Sequence, residues 1–156
     1  MTTETTIAPV VKTLSVGCSP AHAFATFTER IADWWPLRTH SMGAEQAESV
    51  RVEPGIDGRI VERLADGTET VWAYMLDWDP PKRLRFSWHP GRDCSRTQID
   101  EATEVEVTFT PEGDGTRVEL VHGGWERLGE RAATARGNYD GGWDPVLDLY
   151  VQAASH

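Results

Sequence analysis

The amino-acid sequence predicts an α+β fold in which a curved antiparallel sheet of about six or seven strands wraps around a long C-terminal helix. Three observations predict this fold: a β-branched opening run followed by a short helical pair, a long stretch with a hydrophobic period of two, and a return to helical spacing near the C-terminus. A sheet of that size must cover its apolar face, and the last helix is the predicted element long enough to do so.

Length and composition restrict the function classes. The chain has 156 residues, which is the length of one ordinary domain, so we expect a single domain over residues 1–156. A net charge of −10 disfavours nucleic acid and anionic membranes as partners, because like charges repel. The longest apolar runs, such as residues 71–76, are far shorter than the roughly 20 residues that span a bilayer. The first six residues lack the pattern of a secretion signal. We therefore expect a cytoplasmic protein without membrane insertion.

The first strand and the helical region after it have clear local patterns. Residues 13–16 and the valines before them favour an opening strand. Ser19-Pro20 is typical of an N-cap followed by proline at the first helical position. Phe24, Phe27 and Ile31 recur at helical spacing, so residues 20–32 are predicted to be helical, ending near Trp34-Trp35-Pro36.

From residue 48 onward the hydrophobic period changes to two. Segments 60–64 and 70–78 predict a hairpin closed by Asp66-Gly67, since Asp-Gly tolerates positive φ. Pro80-Pro81 must end the second of these strands, because proline has no N–H to donate to the sheet. The next strand, over 84–88, presents one face made of Leu84, Phe86 and Trp88.

Two more strands follow a polar loop over 89–102. The first places Val105, Val107 and Phe109 on one face, and a turn over 111–115 reverses the chain. The second places Val118, Leu120 and His122 on one face. His122 is thus predicted to point into the interior together with the aliphatic side chains of its strand.

The C-terminal segment returns to helical spacing beyond Gly123-Gly124. Its apolar side chains form one stripe, made of Ala132, Ala135, Tyr139, Trp143, Leu147, Tyr150, Val151 and Ala154. Gly141-Gly142 and Asp144-Pro145 interrupt this pattern, so a kink or a restart of the helix is expected there.

Four local strings occur in the order seen in a known family. They are Trp34-Trp35-Pro36-Leu37 with Thr39-His40-Ser41, residues 77–88 with their Asp-Pro-Pro and Leu-x-Phe-x-Trp segments, residues 120–125, and residues 142–147. The chain resembles the activator of heat-shock protein 90 ATPase homologue family, within the START-like (SRPBCC) superfamily. This resemblance implies a helix-grip fold with a cavity between the sheet and the C-terminal helix. The superfamily includes lipid carriers, polyketide cyclases and hormone receptors, so the fold alone leaves the function open.

Seven tryptophans in a chain of this length favour a binding site for an apolar or planar molecule. The alternative is that the rings fill the core. Residues 71–78 could line the cavity with either face, that of Trp72 and Tyr74 or that of Ala73 and Met75, and we expect the first. The candidate ligand-binding residues are Trp34, Trp72, Tyr74, Phe86, Trp88, His122, Trp125, Tyr139, Trp143 and Leu147.

His122 is the candidate titratable group of this site. Its imidazole could serve as a general base or bind a ligand carbonyl. The alternative is a structural histidine bonded to the backbone or to a helix residue such as Tyr139. His40 stands beside Ser41, but adjacent side chains rarely form a nucleophile–base pair.

No metal site or cofactor is expected, and no catalytic residue is assigned. His89 and Cys94 lie close in sequence, yet no second pair completes a coordination set. Cys18 and Cys94 have no CxxC spacing, which favours two reduced thiols over a disulfide framework.

These patterns favour the binding of a small hydrophobic or aromatic ligand with one polar group, met by His122 or Tyr139. One alternative is a cyclase, dehydratase or hydrolase that uses His122 as acid and base. Another is a protein-interaction module, which exposure of Trp34, Trp35 or Trp78 would favour. A homodimer is an open alternative for the assembly.

Overall fold

The computed structural model describes residues 8–35, 47–88, 103–125 and 132–154. Seven strands and three helices lie in these ranges. The strands are β1 (Val10–Val16), β2 (Ala47–Val52), β3 (Arg59–Leu64), β4 (Glu69–Asp79), β5 (Arg83–Trp88), β6 (Thr103–Glu112) and β7 (Gly115–Gly123). The helices are α1 (Pro20–Thr28), α2 (Ile31–Trp34) and α3 (Ala132–Ala154).

All seven strands form one antiparallel sheet in the order β1-β7-β6-β5-β4-β3-β2. Strands β2 to β7 meander in chain order, and β1 adds at the far edge beside β7. Val10 of β1 and Val105 of β6 therefore flank His122 of β7 on its two sides. The curled sheet, the short helical pair and the long terminal helix confirm the predicted helix-grip fold.

The predicted turns and caps form as their chemistry requires. The Ser19 hydroxyl accepts the backbone N–H of His22 at 3.2 Å and caps α1. In the β3–β4 hairpin Gly67 has φ of 89°, a conformation that favours glycine, and Asp66 Oδ1 accepts the Thr68 N–H at 2.9 Å. β4 ends at Asp79, directly before Pro80.

Helix α3 runs without a break from Ala132 to Ala154. The expected restart at Gly141-Gly142 or Pro145 is therefore wrong, because packing of the apolar stripe holds the helix together although Pro145 cannot donate its i→i−4 hydrogen bond. Lys12 of β1 pairs with two carboxylates on the outer side of α3, Asp140 at 3.1 Å and Asp144 at 3.0 Å. In the part of the chain that the structure describes, no helix is long and apolar enough to cross a bilayer.

Strand β4 turns the opposite face to the core from the one we expected. Ala73 and Met75 are fully buried, whereas Tyr74 between them is only partly buried. Both faces of β4 are largely apolar, and its pairing with β3 and with β5 shifts register, so alternation alone could not choose. The side chain of Trp72 lies outside the described residues.

Candidate functional site

His122 lies near the end of β7 and is fully buried. It follows Thr116, Val118 and Leu120 along the buried face of the strand. The sequence predicted this orientation, because an imidazole in phase with aliphatic neighbours on a half-buried strand must share their side of the sheet. A buried imidazole needs hydrogen-bond partners for both ring nitrogens.

Both ring nitrogens of His122 are engaged by neighbouring side chains. Trp143 of α3 donates its indole N–H to Nδ1 at 3.0 Å. Since indole only donates, Nδ1 must be the unprotonated nitrogen and Nε2 carries the hydrogen. Nε2 lies 2.8 Å from Thr103 Oγ1, and the Thr103 hydroxyl donates to the backbone carbonyl of Trp88 at 2.8 Å. The hydrogen bonds thus run in one direction from α3 through β7 and β6 to β5.

This arrangement keeps His122 neutral. Burial lowers its pKa from 6.5 to about 3, because an imidazolium ion would lose its hydration. A proton added to Nδ1 would also face the N–H of Trp143. His122 is therefore a neutral, fixed tautomer at physiological pH.

Trp125 closes the side of the imidazole. Its indole N–H donates to the backbone carbonyl of His122 at 2.8 Å, and its ring lies 4.2 Å from the imidazole, tilted by 36°. The indole is fully buried. Trp125 thus contacts both the backbone and the imidazole of His122 and fixes the end of β7.

Trp88, the last residue of β5, is the centre of a group of rings. Its centroid lies 6.0 Å from Trp35, Phe86 and Trp143, and 6.4 Å from Tyr139, in tilted or edge-on contacts. Tyr139 in turn lies 5.2 Å from His122 and 5.7 Å from Trp125. We define the His122 cluster by these seven rings: Trp35, Phe86, Trp88, His122, Trp125, Tyr139 and Trp143.

Tyr139 supplies the hydroxyl group of the His122 cluster. Burial raises the pKa of this phenol, and the neighbouring Trp88 indole acts in the opposite direction. The hydroxyl therefore stays protonated, and its side chain is only partly buried.

A second group of rings lies beneath helix α1. We define the α1 cluster as Phe24, Phe27, Trp34, Phe109 and Tyr150. Trp34 donates its N–H to the backbone carbonyl of Thr26 at 2.8 Å. Tyr150 donates its hydroxyl to the carbonyl of Ala23 at 2.8 Å. Both polar groups are thus bonded to the α1 backbone.

The structure brings together six of the predicted site residues: Phe86, Trp88, His122, Trp125, Tyr139 and Trp143. Trp34 lies in the α1 cluster instead, Tyr74 is on the outer face of β4, and Leu147 is a buried core residue.

Sequence reasoning missed two contributors, Trp35 and Thr103. Thr103 shares the buried face of β6 with Val105, Val107 and Phe109, and a threonine in an aliphatic series could have indicated a buried hydrogen bond. The candidates His40, Ser41, His89 and Cys94 lie outside the described residues. Within the described ranges, no three His, Cys, Asp or Glu side chains converge to hold a metal ion.

Comparisons with known proteins agree with this fold. The sequence profile of the Activator of Hsp90 ATPase homolog 1-like protein family matches residues 18–152. An anthrahydroquino-γ-pyrone synthase, Txn09, is similar in structure with a TM-score of 0.67 and 38% identity over 95% of this chain and 97% of that chain. No curated protein matches the sequence.

More distant structures share the fold alone. CalU16 from Micromonospora echinospora has a TM-score of 0.61 and 21% identity, over 93% of this chain and 74% of that chain. The Aha1 dimer from Colwellia psychrerythraea has a TM-score of 0.62 and 13% identity, over 96% and 97%.

Proposed function

Within the Activator of Hsp90 ATPase homolog 1-like family, to which this chain belongs, we propose that it binds a planar, fused-ring aromatic molecule against the His122 cluster. The observation that carries the proposal is the convergence of five large rings around and including Trp88, at the end of the sheet and beside α3. They are Trp35, Phe86, Trp88, Tyr139 and Trp143.

The chemistry of this surface favours a flat aromatic ligand. Indole and phenol rings are rigid, so they present a large apolar area at little conformational cost, and tilted ring pairs add about 0.5–1.5 kcal/mol each. The N–H of Trp143 and both nitrogens of His122 are already bonded within the protein. Because the rings are mostly buried, a ligand would have to enter between them, where it would meet mainly ring faces and edges. A 38% identical relative named for an anthrahydroquinone, a fused-ring aromatic, supports the same ligand class.

Planarity is the property to test. Fluorenone and benzophenone both carry two benzene rings and one ketone, but only fluorenone is flat. We expect saturable quenching of tryptophan fluorescence by fluorenone and at least about tenfold weaker binding of benzophenone, since a twisted molecule cannot lie against two rings at once.

Two matched substitutions locate the site. Trp88→Phe should weaken fluorenone binding about tenfold, because it removes part of the central ring surface. Trp78→Phe, at a ring that packs against Phe24 of the α1 cluster, should leave the affinity within about twofold, since distant sites act independently. Absence of saturable quenching in the wild type, or equal weakening by both substitutions, would overturn the proposal.

A second candidate function is ring closure on such a molecule, favoured by the identity to a γ-pyrone synthase. In this reaction a phenol oxygen adds to a ketone carbonyl of an aryl β-diketone, and the hemiketal then loses water to give the pyrone. No oxidant or cofactor is consumed. The acid–base role predicted for His122 does not fit this site, because using either nitrogen breaks a buried hydrogen bond.

An ortho-hydroxyaryl β-diketone tests for this activity directly. If the chain catalyses ring closure, pyrone absorbance should grow faster than in buffer and saturate with substrate. The rate should show no inflection from His122 between about pH 5 and pH 8, since its pKa lies well below. Rates equal to those in buffer would reject the enzyme and leave the binding function standing.

The protein-interaction alternative loses the observation that would have favoured it. Trp34 and Trp35 are buried, and Trp78 packs edge-on against Phe24 at 5.1 Å. A homodimer stays a prediction for sedimentation analysis to test.

A further inference from the structure

We propose that the cleft between helix α1 and the ends of β2 and β4 is a separate binding site, which takes a hydrophobic ammonium ion. This α1 cleft is distinct from the His122 cluster. Trp78 of β4 pairs with Leu84, four residues before Trp88 on β5, so the two regions lie about 13 Å apart along the strands.

The α1 cleft has the size and the lining of a small-molecule site. Its volume is about 400 Å³, and ligand sites in proteins commonly enclose about 300–1,000 Å³. Its apolar lining is made of Phe24, Val52, Pro54, Trp78, Pro80 and Pro81. Phe24 is buried and meets the half-buried Trp78 nearly at a right angle, with their ring centroids 5.1 Å apart. An aromatic surface therefore faces the cleft.

The local sequence explains why this space is open. Ala21 and Ala25 lie one helical turn apart on the face of α1 that borders the cleft, and their side chains are too small to fill it. The other side is formed partly by Pro80 and Pro81, whose rings hold the backbone φ fixed. Such a lining loses little conformational freedom when a ligand binds, which favours affinity.

The rim of the α1 cleft is negatively charged. Of the described residues that line it, Glu29 alone is charged, and its side chain is exposed. Within the described ranges the Glu29 carboxylate forms no ion pair, whereas the adjacent Arg30 is paired with Asp33 at 3.0 Å. Glu29 is also the C-cap of α1, whose last turn has no basic residue. The carbonyl groups at this helix end add a partial negative charge beside the carboxylate.

These features favour one ligand chemistry. The face of an indole ring attracts a cation, and tryptophan does so more strongly than the other aromatic residues. The carboxylate of Glu29 attracts the same charge, and the net charge of −10 draws cations towards the whole molecule. A strongly hydrated inorganic ion would lose its water to apolar side chains without compensation. An ammonium ion that carries methyl or benzyl groups fits both the charge and the lining.

The test compares benzyltrimethylammonium with neopentylbenzene, which has the same shape but carries a tert-butyl group in place of the trimethylammonium group. Titrations of the ¹⁵N-labelled protein are followed by NMR at the indole N–H of Trp78. We expect saturable shifts, at least about fivefold tighter binding of the cation, and weakening of that binding by salt. Equal affinities for the two probes, or no saturable shift with the cation, would overturn the proposal.

Two charge substitutions locate the cation. Glu29→Gln should weaken benzyltrimethylammonium binding about threefold and leave neopentylbenzene binding unchanged, because only the charge is removed. Glu119→Gln makes the same change in net charge at an exposed position on the outer face of β7, and should alter the affinity by less than about 1.5-fold. Equal weakening by both would mean that net charge alone attracts the cation, which contradicts the proposed site.

Two ring substitutions separate the α1 cleft from the His122 cluster. Trp78→Leu should weaken benzyltrimethylammonium binding about fivefold, whereas Trp88→Phe should leave it within about twofold. Urea denaturation checks that both variants are folded. Sedimentation at the NMR concentration tests whether a second copy of the chain occupies the cleft. A dimer that Trp78→Leu converts to a monomer would overturn the proposal and leave fluorenone binding at the His122 cluster unaffected.

Discussion

The α1 cluster and the His122 cluster are both groups of aromatic rings between sheet and helix, yet they differ in where their polar atoms go. In the α1 cluster Trp34 and Tyr150 donate to backbone carbonyls of one helix. In the His122 cluster Trp143, His122 and Thr103 bond mainly to one another, across three elements. The bonds of the α1 cluster attach helix α1 to the core, and those of the His122 cluster fix side chains relative to each other.

The difference indicates separate roles for the two regions. A ring whose N–H is bonded to backbone gains stability and has no further partner to offer. Rings oriented by hydrogen bonds between side chains, such as those of Trp143 and His122, are held at defined angles to each other. Trp34 and Trp35 are adjacent in sequence and their ring centroids lie 6.0 Å apart, so the two clusters meet at this pair.

The largest expected loss of stability comes from a substitution in the α1 cluster. Trp34→Ala should lower the free energy of unfolding by about 3–5 kcal/mol, because it leaves a cavity among buried rings and an unpaired Thr26 carbonyl. Urea denaturation measures the change. A loss below about 1 kcal/mol would mean that the cluster contributes little to the core.

The next effect tests the hydrogen bonds of the His122 cluster. His122→Ala should destabilise the protein by about 3 kcal/mol, since the buried Trp143 N–H and Thr103 hydroxyl each lose a partner at about 1–3 kcal/mol. Thr103→Val should cost about 1–2 kcal/mol, because it removes one link only. If both variants are as stable as the wild type in urea, His122 does not act as a structural bridge.

Measuring stability as a function of pH tests the contribution of the His122 imidazole. Its pKa is 6.5 in an exposed chain and about 3 in the folded protein, so between these values the unfolded chain binds the proton and the folded protein does not. The contribution of neutral His122 to the free energy of unfolding is fully present above about pH 6.5. It falls as the pH drops towards 3, by at most about 1.4 kcal/mol per pH unit.

The reference for this titration is His122→Asn, which lacks the titrating group. Urea midpoints of the two proteins between about pH 6.5 and pH 5 should diverge, with the wild type losing more stability. The carboxylate of Glu53, whose pKa its ion pair with Arg59 lowers to about 2, titrates below this window. Parallel curves would show that folding does not lower the pKa of His122.

The smallest effect concerns the attachment of α3 beside the His122 cluster. Lys12→Met removes ion pairs with Asp140 and Asp144, whose side chains are largely exposed. Such pairs are worth about 0.5 kcal/mol and are screened by salt. The difference from the wild type should shrink in high salt, and a salt-independent loss would point to packing of the lysine stem instead.

The sequence by itself determined the elements and the inward direction of the central residues. Periods of two and of about four residues identified the strands and α3, and the phase of His122 with Val118 and Leu120 placed its ring inside. Trp88 was placed inside by Leu84 and Phe86 in the same way. These inferences succeed because side-chain direction in a regular element depends on the backbone period alone.

The tertiary structure alone decided which of these side chains meet. Trp34 ends α2 while Trp35 has an extended backbone, with φ of −64° and ψ of 128°, so one ring reaches Tyr150 and the other reaches Trp88. Shifts of register on both sides of β4 decided which of its apolar faces is inside. The partners of His122 lie 19 and 21 residues away, and only strand register and the rotation of α3 bring them within hydrogen-bond distance. Local periodicity carries no information about those distances, because they depend on how whole elements pack.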